Sequence, residues 1–209
     1  MTHRFLRLDA PDPVARLLLA HGAGAPMDSD FMNALAAALA KQGISTLRFE
    51  FPYMAARRGG AGKRPPDRAP VLLDCWREAF ERAREKGGDL PLLVGGKSMG
   101  GRMASLVADE LGVAGLCCYG YPFHPPGRTD KLRTEHLLSL VTSALILQGT
   151  RDPFGKPALV DGLALSASVR VHWLDDGDHD FKPRKASGLD QEALIGEDAV
   201  ATRNLVLSR

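Results

Sequence analysis

The segment Val94-Gly95-Gly96-Lys97-Ser98-Met99-Gly100-Gly101-Arg102 sets one hydroxyl among four glycines. Gly96, Ser98 and Gly100 fit G-x-S-x-G, the pattern of a sharp strand-to-helix turn that lifts a serine clear of its surroundings. Such a turn needs glycine because neighbouring backbone must come close where a side chain would stand. The chemistry it suggests is nucleophilic attack by Ser98. A serine hydroxyl attacks poorly until a base takes its proton, and that base needs an acid to orient it. In a sheet entered this way the three groups follow in the order serine, acid, histidine.

Of the six histidines, His3 and His21 come too early, His172 falls inside an expected strand and His136 in an expected short helix. His124 precedes every good acid candidate and is read as a pocket wall. His179, in Leu174-Asp175-Asp176-Gly177-Asp178-His179-Asp180, follows the last expected strand. Ligands meet open α/β sheets beyond the carboxyl ends of strands, so His179 is the expected base. Asp152, in Leu147-Gln148-Gly149-Thr150-Arg151-Asp152-Pro153, lies just past a strand end and is the expected acid. Asp175, Asp176, Asp178 and Asp180 are nearer in sequence. Neighbours within one loop, however, rarely present a carboxylate to the ring nitrogen facing away from the serine. Oxyanion donors are expected from the N–H of Met99, the residue after the nucleophile, and from the loop His21-Gly22-Ala23-Gly24, with Ala23 best placed. His21, Tyr53, Phe123 and His124 are expected to wall a shallow substrate pocket. Lys97 points away from a Ser–Lys dyad, since adjacent residues at a turn diverge; a structural ion pair with Glu50 is expected instead.

These residues must be held by alternating strands and helices. Short apolar runs at residues 16–20, 44–51, 91–95, 113–119, 143–148 and 169–174 read as strands, with residues 5–8 as an added edge. Helical spacing over residues 28–42, 71–86 and 99–111 places Phe31, Leu35 and Leu39, then Leu72, Trp76 and Phe80, then Met103, Leu106 and Val107, on buried sides. Gly43 and Gly87-Gly88 read as stops. Helices are also expected over 156–166 and 190–207, and residues 52–70, rich in Gly, Pro and Arg, as a surface loop. The alternation predicts a mostly parallel sheet flanked by helices.

The totals agree with one soluble domain over residues 1–209. Hydrophobic residues make up 44% and charged residues 25%, and a net charge of +2 is too small to imply a nucleic-acid or membrane partner. No signal peptide or spanning segment is read, and the cytoplasm is the expected location. Three cysteines, two of them adjacent (Cys117 and Cys118), make neither a disulfide framework nor a metal motif. The basic stretch from Arg57 to Arg64 fails the phosphate-loop pattern, with arginine at the first glycine position and again at the Ser/Thr position.

With Ser98, Asp152, His179 and the His21-Gly22 loop in place, the chain resembles the α/β-hydrolase superfamily. More narrowly it resembles a bacterial branch grouped with dienelactone-hydrolase-like proteins and with the eukaryotic testis-expressed and NSL-complex hydrolase-like proteins. HGAGAPMDS from His21, LRFEFPYM from Leu47, GGKSMGGRMAS from Gly95, GYPFHPPG from Gly120, LQGTRDPFG from Leu147 and DGDHDFKPRK from Asp176 carry that likeness. The resemblance implies a three-layer α/β-hydrolase fold and a Ser98–Asp152–His179 triad. Residues 120–142, where large relatives insert a helical lid, are too few for a bulky one. The reading is therefore a serine hydrolase of small ester or related acyl substrates, working through an acyl-enzyme with no metal or organic cofactor. Ester, thioester, lactone and amide bonds all yield to this machinery. The competing reading is a non-catalytic binding or scaffold protein of the same fold, using the pocket or the basic loop 57–68 for partner contact.

Overall fold

Seven short runs pair into one sheet: β1 (Leu6–Leu8), β2 (Ala15–Ala20), β3 (Ile44–Phe49), β4 (Leu92–Lys97), β5 (Leu116–Tyr119), β6 (Ala144–Gly149) and β7 (Val169–Leu174). The computed structural model describes residues 5–60, 62–85 and 88–208. His3, Ala61 of the basic stretch, and the expected helix end at Lys86-Gly87 lie outside them. The strand order is β1-β3-β2-β4-β5-β6-β7. β1 runs antiparallel to β3 and every other neighbouring pair is parallel. β2, β4, β5 and β6 are buried along their whole length, which is why they read as mainly apolar runs.

Helices cover both faces. On one side α3 (Ala69–Glu85) packs against α4 (Met99–Leu111), with Trp76, Phe80, Met103 and Val107 pressed on Val94 and Cys118 of the sheet. On the other, α1 (Asp30–Lys41) packs against α6 (Gln191–Leu207), with Leu35, Leu39, Ile195 and Leu205 meeting Leu17, Leu93 and Cys117. Gly43 ends α1 at a φ of 77°, and the Asp190 side chain caps α6 by accepting from the Ala193 N–H at 2.7 Å. Between β5 and β6 the chain carries only a 3₁₀ turn, Glu135–Leu138, so no large lid covers the carboxyl edge of the sheet.

Two sequence expectations fail. Residues 52–70 are not all loop: α2 (Pro52–Arg58) forms at its start, with Pro52 in the first turn and Tyr53 and Met54 buried. Proline suits a first helical turn, where its missing N–H costs nothing, and the glycines that follow disguise the segment. Residues 156–166 form only the short α5 (Pro157–Val160). Beyond it the Ser166 N–H bonds to Leu137 O at 3.0 Å, and Gly162 weakens any continuation.

Candidate active site

The glycine cluster has a measurable cause. A Cβ on Gly96 would sit 2.6 Å from the Gly100 carbonyl carbon, and one on Gly100 would sit 2.5 Å from His21 O. Glycine at both positions lets α4 start directly against β4 and the end of β2. Ser98, between strand and helix, has φ 51° and ψ −115°, and its side chain caps nothing. Its N–H is tied to Tyr119 O at 2.9 Å. A non-glycine residue in this region is strained, by about 1–3 kcal/mol, and persists only where its surroundings impose it. Ser98 therefore does not cap α4 with its side chain.

The strained turn aims the Ser98 hydroxyl at an imidazole. Ser98 Oγ lies 2.9 Å from His179 Nε2, and His179 Nδ1 lies 2.8 Å from Asp152 Oδ2. Asp152 is fully buried, and as a carboxylate it only accepts, so the proton between them belongs to Nδ1. Nε2 is then free to accept from Ser98 Oγ–H. Asp152 is itself held by four further bonds: Oδ1 accepts from Phe154 N–H at 2.8 Å, Oδ2 accepts from the Gln148 side-chain amide at 2.9 Å, its N–H donates to Gly149 O at 3.0 Å, and its carbonyl accepts from Gly155 N–H at 3.2 Å. The other acids near His179 are occupied elsewhere. Asp176 binds Arg184, and Asp178 Oδ1 accepts the N–H groups of Asp180 and Lys182 at 2.8 and 2.9 Å.

The loop after β2 is fixed from behind. Phe51 N–H donates to His21 Nε2 at 3.1 Å, so Nδ1 carries the ring proton and donates to Gly22 O at 2.6 Å. Burial lowers the His21 pKa and keeps the ring neutral. Tyr53 Oη–H donates to Ala23 O at 2.9 Å, with Gly22 O at 3.3 Å; burial pushes its pKa up to about 12, so it remains a donor. Among the described residues the N–H groups of Ala23 and Met99 donate to no protein group.

A cavity of about 350 Å³ adjoins Ser98 and His179, bordered by Ala23, Phe31, Met32 and Phe154. The four expected wall residues do not line it. His21 and Tyr53 are turned into the protein to hold the loop, as just described. Phe123 is fully buried where Gly155 leaves room for its ring, and His124 is buried behind Phe154, with ring centroids 6.4 Å apart. Phe154, edge-on to His179 at 4.6 Å, takes the place assigned to them. Lys97 is corrected too. Glu50 pairs with Arg58 at 2.7 Å, whereas Lys97 Nζ lies 3.4 Å from Asp180 Oδ1. Arg57 stacks over Tyr53 and donates to Arg64 O. His136 bonds Ser105 at 2.7 Å and His172 pairs with Glu197 at 2.7 Å, both away from Ser98.

Gln148 and Phe154 were missed in sequence. Gln148 left a trace: it is the lone polar side chain in the buried run Ala144–Gly149. Phe154 left none beyond its place after Asp152. Among the described residues no group of three or more His, Cys, Asp or Glu side chains could hold a metal ion, and no helix is long and apolar enough to cross a membrane.

A family model described as an alpha/beta hydrolase domain matches residues 13–206. No curated protein resembles the chain closely enough to count as a match. Among solved structures, a serine hydrolase without a lid from Xanthomonas campestris is 20% identical, with 97% of this chain and 94% of that one covered at a TM-score of 0.68. A dienelactone hydrolase from Anabaena variabilis is 18% identical, covering 97% and 89% at 0.72. Est1E from Butyrivibrio proteoclasticus, bound to ferulic acid, is 12% identical, covering 99% and 96% at 0.72. At these identities the likeness is one of fold.

Proposed function

The chain belongs to the alpha/beta hydrolase domain family, and on that premise we propose that it is a serine hydrolase of small ester or related acyl substrates. One observation carries the reading: a strained Ser98 whose Oγ stands 2.9 Å from an imidazole backed by the buried Asp152. Strain of this kind is maintained where function requires it. The fold neighbours named a dienelactone hydrolase and a ferulic acid complex are in keeping with the substrate class.

Ser98 Oγ attacks the substrate carbonyl while His179 Nε2 takes its proton. Asp152 holds the imidazole in place and stabilises the imidazolium that forms. The oxyanion is received by the Met99 N–H, at the positive end of α4, and by the Ala23 N–H. His179 returns the proton to the leaving alcohol, and the acyl group stays on Ser98. Water then attacks the acyl-enzyme, giving its proton to Nε2, and Oγ leaves with that proton restored. Each oxyanion donor contributes about 10²–10³ in rate.

Hydrolysis of p-nitrophenyl acetate by the purified protein tests this. Activity is expected to vanish in Ser98→Ala and His179→Ala, and to fall by about 10⁴ in Asp152→Asn, where the wrong tautomer is favoured. Turnover unchanged by Ser98→Ala would refute it, and no turnover by the wild-type protein would leave a binding role for the fold.

A further inference from the structure

Lys97 is the last residue of β4 and immediately precedes Ser98, and its side chain is only 8% exposed. Its Nζ donates to the main-chain carbonyl of His179 at 2.7 Å, lies 3.4 Å from Asp180 Oδ1 and stands 5.4 Å from the centre of the Phe31 ring. This is a direct tie between the turn that carries the hydroxyl and the loop that carries the imidazole, across 82 positions of sequence. The chain also leaves space for it. A Cβ on Gly120, where φ is 69°, would lie 3.2 Å from Lys97 Nζ, 3.0 Å from His179 O and 3.3 Å from His179 Nδ1. Ammonium, carbonyl and ring therefore converge above a residue that has no side chain.

We infer that Lys97 is the positioning residue of this site, setting the height of the His179 backbone so that Nε2 meets Ser98 Oγ. The inference rests on the serine-hydrolase reading above. His179 sits in a turn, not in a strand, so no sheet bond fixes its level. The Lys97 bond does so from the one element whose position relative to Ser98 cannot vary. A misplacement of about 1 Å in such a site costs about 10² in rate.

Asp180, Asp152 and Asp178 act electrostatically on the Lys97 ammonium. Burial lowers the Lys97 pKa, and Asp180 and then Asp152 work against that shift.

The test compares Lys97→Met and Lys97→Arg with the wild-type protein on p-nitrophenyl acetate. Lys97→Gln serves as the neutral arm should the methionine variant not accumulate. Expected are a fall in kcat of about 10–100-fold in the neutral variant with KM within about 2-fold, and substantial recovery in Lys97→Arg. A neutral variant with kcat within about 2-fold of wild type would overturn the inference. So would equal losses of kcat in both variants, the mark of a purely structural lysine. Fluorophosphonate labelling of wild-type Ser98 separates the two readings. Labelling with an indifferent Lys97 sinks only the inference, and no labelling sinks both.

Discussion

Replacing Ser98 with glycine and with alanine should give two inactive proteins of unequal stability, and the order should reverse the usual one. Glycine is ordinarily the less stable choice, by about 0.5–1 kcal/mol relative to alanine, because its unfolded chain is freer. At position 98 the backbone sits at φ 51°, ψ −115°, outside even the left-handed helical region open to ordinary residues. A Cβ there costs about 1–3 kcal/mol, and alanine retains that cost while glycine sheds it. Both variants lose the same hydroxyl and the same bond to His179 Nε2, so those losses cancel. The difference left is about 0.5–2 kcal/mol in favour of glycine. For a chain of 150–250 residues, each 1 kcal/mol moves Tm by about 2–4 °C, so Ser98→Gly should melt several degrees above Ser98→Ala. Thermal unfolding of the two purified variants under one buffer measures it. A glycine variant melting at or below the alanine variant would show that the turn is not strained as described.

Gly100→Ala should destabilise the protein by about 1–3 kcal/mol or more, because the new methyl meets the backbone oxygens of His21 and Ala20 at 2.5 and 2.7 Å, neither of which can swing aside; an unchanged Tm would contradict this packing. Tyr53→Phe removes the donor to Ala23 O and Gly22 O while His21 still holds Gly22. Its kcat should fall about 2–12-fold, the worth of one loop-fixing hydrogen bond, with KM nearly unchanged, and a wild-type kcat would release Tyr53 from that role. Asp198 is fully buried, neither carboxyl oxygen has a hydrogen-bond partner among the described residues, and burial raises its pKa well above the usual range. The folded chain then keeps a proton that the unfolded chain gives up above about pH 4, so this residue makes stability fall as pH rises. Asp198→Asn does not titrate, and its Tm advantage over wild type should grow from pH 4 towards pH 8; a gap constant across that range would rule the argument out.

Sequence and structure inform different parts of this account. Ser98, Asp152 and His179 could be singled out because each falls at the end of an apolar run, and strand ends are legible from periodicity alone. Gly96 and Gly100 were legible for a related reason, since backbone crowding leaves glycine as its mark. The pocket walls were not. Tyr53, Phe123 and His124 are amphipathic or aromatic residues whose direction depends on contacts made by residues far along the chain, such as Phe51 with His21 and Gly155 with Phe123. No local pattern encodes which way such a ring turns. Lys97 was misassigned to Glu50 for the same reason, because its partners stand more than eighty positions away. The helix α2 was hidden by composition: Gly59 and Gly60 follow it directly, and a proline opens it. Gln148 offered the one signal that could have been used, a polar side chain inside a buried strand that must find partners and does so on Asp152 and Tyr121.

Treatment with a fluorophosphonate followed by peptide mass mapping addresses the central proposal most directly. The account predicts one phosphonyl adduct per chain, on the peptide bearing Ser98, formed far more slowly in His179→Ala and absent in Ser98→Ala. An unmodified Ser98 in folded wild-type protein, or an adduct that forms as fast without the imidazole, would contradict it.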